Sequence, residues 1–296
     1  KMHGADLMYS EFISSEGLIR DAIKSKKKLD IFDYERPVGI QIFGGDEEAM
    51  AMSAKIVETV QPDLVDINFG CPVKKVVSKG AGAGVLKDID LMVKLTKAVV
   101  NSTELPVTVK TRLGWDTESI NIEEVAERLQ EVGIKALTIH ARTRTQMYKG
   151  KADWEYISKV KNNPNIEIPI FGNGDIDSPE TALEYREKYN IDGMMIGRGA
   201  IGYPWIFNEI KHFFQTGEKL PAPTIKDRLE AVRQHAEWSA EWKGERAGLI
   251  EMRQHYSNYF RGIPHFKEYR TKFLQVLTMQ EMESVLEEIY TQLDKE

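Results

Sequence analysis

Short apolar segments alternate with amphipathic helical segments from the start of the chain to about Gly199, and this alternation restricts the possible folds more than any other feature. The predicted strands cover residues 5–11, 38–44, 64–70, 107–114, 136–142, 168–174 and 193–199. The predicted helices, which carry apolar residues at three- and four-residue spacing, cover 47–60, 88–100, 122–132, 179–189 and 204–214. Apolar strands joined by helices indicate a parallel sheet whose outer face is covered.

A doubly wound open sheet and a closed barrel share this alternation, so strand number and polar positions decide between them. Seven strands are visible, and we expect an eighth, the first of a barrel, to be missing from this chain. Polar residues fall at the predicted strand ends: Gln41, Asn68, Lys110, His140, Asn173 and Arg198. Because the C-terminal strand ends of a (β/α)8 TIM barrel form its single active-site face, this placement favours the barrel. A dinucleotide-binding sheet would carry Gly-x-Gly-x-x-Gly directly after its first strand, but Gly80-Ala-Gly-Ala-Gly84 follows a long loop.

Beyond Pro221 the pattern changes to helices only. Thr224-Ile-Lys-Asp227 resembles a capping box and Thr278-Met-Gln-Glu281 fits one fully, which marks two helix starts. We predict helices near 225–242, 246–260, 265–276 and 279–294. The sequence therefore predicts two domains, an α/β TIM barrel with the catalytic site over 1–220 and a small all-α helical bundle over 221–296.

Composition excludes several classes of protein. With 296 residues, of which 42% are hydrophobic and 29% charged, the chain suits a globular protein, and it lacks the run of about 18 apolar residues that a membrane span needs. Its one cysteine, Cys71, can form neither an internal disulfide nor a thiolate zinc cage, so we predict no metal site and a reducing, cytoplasmic location. The net charge of −6 argues against a nucleic-acid partner unless a local basic patch exists.

Two glycine-containing strand ends, 171–175 and 196–199, predict a phosphate site. Consecutive glycine-rich turns of this kind hold phosphate through backbone N–H groups in many barrels, and Arg198 adds a charged contact. Lys110 and His140 would point from neighbouring strands into the barrel mouth, and a buried lysine needs an anionic partner. That partner is either a ligand that becomes negatively charged or the carboxylate of Asp66 within the barrel.

Cys71 lies just past a strand end, at the start of a loop rich in glycine and alanine. A lone cysteine is more often an inert core residue. The position in a Gly-Cys-Pro loop start indicates function instead, and a thiol, with an ordinary pKa of about 8.5, is mostly protonated at neutral pH and can donate a proton.

Five segments taken together resemble the tRNA-dihydrouridine synthases, most closely the bacterial B type. They are Gly70-Cys-Pro-Val-Lys-Lys-Val, Lys110-Thr-Arg-Leu-Gly-Trp, His140-Ala-Arg-Thr-Arg, Gly172-Asn-Gly-Asp-Ile and Gly197-Arg-Gly-Ala-Ile-Gly-Tyr-Pro-Trp-Ile-Phe. The resemblance implies bound FMN, with Gln41 at its pyrimidine edge and Lys110 and His140 beside it, and a phosphate held by Asn173, Gly174, Asp175, Gly197 and Arg198. The family's first-strand segment Ala-Pro-Met-Ala-Gly, which contributes backbone contacts to FMN, is not found in this sequence.

The resemblance also implies a reaction, the reduction of a uracil ring in tRNA after NADPH has reduced FMN. A hydride would pass to carbon 6 of the uracil, and Cys71 would protonate carbon 5 as general acid. Asn68, Arg142 and Arg144 would hold the base and a neighbouring phosphate, and Lys110 would stabilise the anionic flavin. The expected partner is tRNA, around its D-loop region, with no membrane and no obligate protein partner.

The stretch from Met252 to Lys272 is locally basic and rich in aromatic side chains. Its cations are Arg253, Arg261, Lys267, Arg270 and Lys272, and its ring-bearing residues are His255, Tyr256, Tyr259, Phe260, His265, Phe266 and Tyr269. This mixture suits RNA phosphates and exposed bases, but without the resemblance we would expect a bundle core and a solvated face. Two other classes stay open: a flavin barrel acting on free pyrimidines, as in dihydroorotate dehydrogenases, and a non-catalytic RNA-binding protein.

Overall fold

The sheet consists of parallel strands that follow one another in chain order. The computed structural model describes residues 1–263 and 266–293. Its strands are β1 (Met8–Tyr9), β2 (Ile13–Ser14), β3 (Val38–Phe43), β4 (Leu64–Asn68), β5 (Val107–Arg112), β6 (Ala136–His140), β7 (Ile170–Asn173) and β8 (Gly193–Met195). β1 and β2 pair with the start and the end of β3, and from β3 to β8 each strand pairs in parallel with the next. This topology is that of a TIM barrel, so the predicted fold class is confirmed.

Helices connect these strands and pack beside one another around the sheet. They are α1 (Ser15–Ile19), α2 (Ile23–Lys26), α3 (Glu47–Glu58), α4 (Lys74–Val77), α5 (Ile89–Val100), α6 (Ile122–Glu131), α7 (Glu155–Lys161) and α8 (Pro179–Tyr189). Contacts join α3 to α5, α5 to α6, α6 to α7 and α7 to α8, which makes a continuous outer layer. The sequence pattern does not predict α7, because its 7 residues are too few to show a helical period.

Side-chain caps set where three of these helices begin. Asp46 accepts a hydrogen bond from the Ala49 N–H at 2.8 Å at the start of α3. Asp88 accepts one from the Leu91 N–H at 2.9 Å at the start of α5. Ser178 caps α8. Since such caps stabilise a helix by about 1 kcal/mol each, they hold the βα turns at the C-terminal strand ends in place.

Alternation along the central strands separates an apolar face from a polar one. On β4, β5 and β6 the apolar face carries Val65, Ile67, Val109, Leu137 and Ile139, all without solvent exposure. The intervening residues are Asp66, Asn68, Thr108, Lys110, Thr138 and His140. Successive side chains of a strand point to opposite faces, so the apolar set lies under the helices and the polar set faces the interior of the sheet.

The chain divides into two compact units, Lys1–Gly197 and a second that begins at Arg198. The second contains α9 (Ile206–Thr216), α10 (Ile225–Lys243), α11 (Glu245–Met252), α12 (Tyr256–Tyr259), α13 (Phe266–Phe273) and α14 (Met279–Leu293). The helix predicted over 246–260 is thus two helices, α11 and α12, and α9 belongs to the second unit although the predicted boundary follows residue 220. The all-α character beyond Pro221 is confirmed, while the division of roles between the domains stays a prediction.

The helical unit has an apolar core of its own. It includes Leu229, Met252, Phe260, Phe273 and Leu286, contributed by α10, α11, the turn after α12, α13 and α14. Among the helices described in residues 1–263 and 266–293, none is long and apolar enough to cross a membrane.

Candidate active site

The polar face of the sheet brings together five of the predicted site residues. The strand register pairs Gln41 with Asp66, Asn68 with Lys110, and His140 with Asn173. Register partners in adjacent parallel strands project from the same face of a sheet. The predicted residues Gln41, Asn68, Lys110, His140 and Asn173 therefore line one surface near the C-terminal strand ends, and their individual roles stay predictions.

Asp66, fully buried on β4, is the centre of a hydrogen-bond network. Its Oδ2 accepts from Gln41 Nε2 at 2.6 Å, and its Oδ1 accepts from Thr108 Oγ1 at 2.5 Å. Gln41 Oε1 in turn accepts from Asn68 Nδ2 at 2.6 Å. Burial raises the pKa of Asp66 to about 6, although the bonds from Thr108 and Gln41 oppose that shift. At neutral pH most molecules hold Asp66 ionised, as a pure acceptor.

Lys110 lies next to this network without forming an ion pair with it. Among the described residues no salt bridge joins Lys110 to Asp66, whose two oxygens bond Gln41 and Thr108 instead. Desolvation, with a further contribution from Arg112, lowers the pKa of Lys110 to about 8, while the charge of Asp66 opposes the shift. Of the two partners that the sequence left open for Lys110, the internal carboxylate is already bonded elsewhere, so an anionic ligand is the one that fits.

The Lys110 side chain is expected to titrate near pH 8, well below the ordinary lysine value of 10.5. Nuclear magnetic resonance of the protein with ¹³C-methylated lysines measures this directly, and Lys110→Met identifies the signal. Because the Asp66 carboxylate raises the pKa of Lys110, Asp66→Asn should move the titration to still lower pH. A Lys110 signal that titrates with the other lysines would contradict the desolvation.

Cys71 is buried at the base of its loop and is held by its main chain. The side-chain Oδ1 of Asn68 accepts hydrogen bonds from the N–H groups of Gly70 and Cys71, at 3.0 and 2.9 Å. The Cys71 carbonyl accepts from the Ala83 N–H at 3.0 Å. At Gly82, where φ is +54°, an added Cβ would lie 3.1 Å from Cys71 Cβ. The small residues of this loop therefore allow the chain to pack closely against the cysteine.

Arg142 and Asp175, predicted to contact substrate and FMN, bind each other. Arg142 Nη2 lies 2.8 and 2.7 Å from the two Asp175 carboxylate oxygens, and it also donates to the Gly150 carbonyl at 2.6 Å. The Ala152 N–H donates to Asp175 Oδ2 at 2.8 Å. Arg142 is only 2% exposed. The pair thus holds the loop after β6 against the end of β7, and any ligand role is additional to this one.

The end of β7 depends on two glycines that pack against aromatic rings and β6. A Cβ at Gly172 would come within 2.0 Å of Trp154 Cζ3, and Trp154 Nε1 donates to the Gly174 carbonyl at 3.0 Å. At Gly174, with φ of +131°, a Cβ would lie 2.8 Å from Ala152 Cβ and 3.3 Å from His140 Cδ2. The backbone here is bare beside His140, and Asn173 Nδ2 donates to the Met195 carbonyl of β8 at 2.8 Å.

The remaining predicted residues lie at the edges of this surface or beyond it. Arg144 Nη2 lies 3.4 Å from the Pro72 carbonyl beside Cys71, and within the described residues its buried Nε has no hydrogen-bond partner. Gly197 ends the first unit, and an added Cβ there would meet no atom within 4 Å. Arg198 opens the second unit in a 3-10 turn, Arg198–Ala200, with an exposed side chain.

In the basic stretch of the helical unit, aromatic rings and cations face opposite ways. Tyr256, Tyr259, Phe260 and Tyr269 are 1–6% exposed and belong to the core of the bundle. The suggestion that these four rings contact exposed bases is therefore wrong, because the core excludes them from solvent. Arg261, Lys267, Arg270 and Lys272 remain exposed, and His265 lies outside the described residues.

Comparison with known proteins identifies the family. The family model described as dihydrouridine synthase (Dus) matches residues 1–294. The chain belongs to the dihydrouridine synthase family. It is 39% identical over 282 residues to the probable tRNA-dihydrouridine synthase 1 of Synechocystis, covering 95% of this chain and 78% of that one. It is 38% identical over 270 residues to tRNA-dihydrouridine synthase B of Pseudomonas aeruginosa, covering 91% of this chain and 81% of that one.

A solved structure supports the fold alone. Histamine dehydrogenase from Rhizobium sp. 4-9 superposes with a TM-score of 0.54 at 9% identity, over 71% of this chain and 42% of that one. As a dihydrouridine synthase family member, the chain is an enzyme of an oxidoreductase family. The resemblance read from its five motifs is thereby confirmed.

Two features of this dihydrouridine synthase site were not predicted from the sequence. Arg112, 2% exposed, donates from Nε to the Gly70 carbonyl at 2.7 Å and from Nη1 to the carbonyls of Thr143 and Met147, at 3.1 and 2.9 Å. Trp115 lies under two cations, Lys87 Nζ at 3.8 Å and Arg144 Cζ at 4.7 Å from its ring centre. Both residues belong to the Lys110-Thr-Arg-Leu-Gly-Trp motif, so the motif was the available signal.

Proposed function

We propose that this chain reduces uridines in tRNA to 5,6-dihydrouridine, with FMN as its bound cofactor and NADPH as its reductant. The observation that carries the proposal is the position of Cys71, whose N–H is bonded to Asn68 on the same polar face as Gln41 and Lys110. Membership of the dihydrouridine synthase family supports the reaction class. A cytoplasmic location suits both the tRNA substrate and a chain with a single thiol.

The residues of the polar face suit FMN. Gln41, Lys110 and His140 would lie along the flavin, and Asn173, Gly174, Asp175, Gly197 and Arg198 would surround its phosphate. The bare backbone at Gly174, beside His140, supports this fit because a side chain there would fill the space. The Lys110 cation supplies the positive charge that an anionic ring needs. When bound and reduced, the flavin would supply a hydride for carbon 6 of the uracil.

Cys71 and Asn68 would complete the reaction on the base. The Cys71 thiol would give its proton to carbon 5, so that a hydride and a proton together add across the C5=C6 double bond, and the thiolate would regain a proton from solvent. Asn68 uses its Oδ1 for two loop N–H groups and one Nδ2–H for Gln41. One N–H therefore remains for a carbonyl oxygen of the base.

The two predicted substrate arginines differ in the donors that they have left. Arg142 is bonded to Asp175, Lys149 and Gly150, whereas Arg144 keeps an unpartnered Nε–H in the described part of the chain. This contrast supports Arg144 as the contact to a phosphate that flanks the flipped-out uridine.

The exposed cations of α13 would contribute to tRNA binding, around the D-loop region. Lys267 and Arg270 lie on its solvent face while Tyr269 and Phe273 face the core. Charged contacts to phosphate position RNA without reading its sequence. Because the rings of this stretch are buried, we expect the α13 surface to bind the backbone rather than bases.

The test is a single-turnover assay with unmodified tRNA, NADPH and FMN-loaded protein, scored for dihydrouridine by nucleoside mass spectrometry. Lys267→Glu/Arg270→Glu should weaken tRNA binding by about tenfold or more and reduce the salt dependence by about two phosphate contacts. Lys226→Glu/Arg246→Glu makes the same charge change at two other exposed positions of this unit and should change binding by less than about threefold. Reduction of free uracil or orotate with tRNA untouched would overturn the proposal.

A further inference from the structure

Three side chains of the polar face form a hydrogen-bond chain with a single direction. Asp66 accepts from the Gln41 amide nitrogen, Gln41 accepts from the Asn68 amide nitrogen, and Asn68 accepts from the Cys71 main chain. The distances are 2.6, 2.6 and 2.9 Å. Each link uses the oxygen of one side chain and the N–H of the next, so the chain reads from a carboxylate to the cysteine.

The carboxylate at the start of this chain determines the orientation of both amides. An ionised carboxylate is only an acceptor, whereas an amide offers an acceptor on one side and a donor on the other. If Gln41 turned over, its oxygen would face Asp66 and its nitrogen would face the nitrogen of Asn68. Such a turn leaves buried groups unpaired, which costs about 1–3 kcal/mol for each group.

We propose that Asp66 is a positioning residue, which fixes the amide of Gln41 and, through Asn68, the main chain of Cys71. Gln41, Asn68 and Asp66 are 6%, 7% and 0% exposed, so water competes little for these bonds. The relevance of this positioning to uracil reduction rests on the proposed function. The geometric claim concerns the protein alone and is tested separately.

Two substitutions at Asp66 separate acceptor geometry from charge. Asp66→Val removes the acceptor and is of similar size. Asp66→Asn removes the charge but can keep its oxygen towards Gln41, because its nitrogen can donate to the Thr108 hydroxyl, which also accepts. Positioning therefore predicts that Asn preserves what Val destroys.

Alkylation by iodoacetamide reports on Cys71 alone, since it is the one cysteine of the chain. In protein supplemented with FMN, alkylation should be slow, because Cys71 is 6% exposed. Asp66→Val should accelerate it by about tenfold or more, as expected when a buried hydrogen bond is lost, and Asp66→Asn should stay within about threefold of wild type. Dihydrouridine formation should fall in the same order.

Leu129→Ala is the control for stability. Leu129 is fully buried in α6 and takes no part in the network, so its truncation lowers the unfolding temperature without changing the Cys71 main chain. If Asp66→Val fails to fold, Gln41→Leu breaks the same chain one link later and should also accelerate alkylation.

Three results would overturn the inference. They are unchanged alkylation in Asp66→Val or its substitute, equal acceleration in Asp66→Asn, which would assign the effect to charge, and equal acceleration in Leu129→Ala, which would assign it to stability. Alkylation needs neither tRNA nor NADPH. Wild-type protein that makes no dihydrouridine but shows the predicted alkylation pattern would therefore refute the proposed function and leave the positioning by Asp66 intact.

Discussion

Cys71→Ala should lower the rate of dihydrouridine formation by about 10²–10⁴-fold, the usual contribution of a positioned general acid. The physical reason is that carbon 5 of the uracil must receive a proton as carbon 6 receives a hydride, and alanine has none to give. The cysteine lies at the polar face, held by Asn68 and by the Ala83 N–H. Nucleoside mass spectrometry of single-turnover reactions with unmodified tRNA measures the effect.

The same variant should keep the steps that do not need the thiol. Oxidation of NADPH by FMN-loaded protein and binding of tRNA should both stay within about threefold of wild type, because alanine preserves the main-chain bonds of Cys71. Ser78→Ala, an exposed change in the same loop, is the matched control and should have full activity. A Cys71→Ala enzyme that forms dihydrouridine at the wild-type rate would refute the general-acid role.

Arg142→Met should destabilise the barrel by about 3–5 kcal/mol, the usual cost of removing one partner of a buried ion pair. Arg142 is 2% exposed, and its loss would leave Asp175 and the carbonyls of Lys149 and Gly150 without their donor. Thermal unfolding followed by circular dichroism should show a decrease of roughly 10 °C, given about 2–4 °C for each kcal/mol in a chain of this size.

An exposed arginine provides the control for this prediction. Arg128 pairs with Asp90 at 2.5 Å and with Glu124 at 3.4 Å on the surface of α6. Arg128→Met should cost less than about 1 kcal/mol, because exposed ion pairs contribute little. Replacing both partners of the buried pair, Arg142→Met/Asp175→Leu, should recover part of the loss. Equal unfolding temperatures for Arg142→Met and Arg128→Met would show that burial is not decisive here.

The sequence alone was sufficient for the order of strands and helices and for the polar face. Residues such as Asp66, Asn68, Thr108 and Lys110 alternate with apolar neighbours, so the two-residue period of a strand assigns them to one face. The same periodicity and the capping residues located the helices to within a few positions. These are local properties, which depend on residues a few places apart, and the family motifs added the reaction class.

Only the tertiary structure decided which of these polar groups already bind each other. Asp66 meets Gln41 and Thr108, and Arg142 meets Asp175, across separations of 25, 42 and 33 residues. In the same way, the rings between Met252 and Lys272 became the core of the bundle rather than an RNA surface. Spacing along the chain carries no record of such contacts, because they depend on how strands and helices pack, and a charged or aromatic side chain suits a ligand and a neighbour equally well.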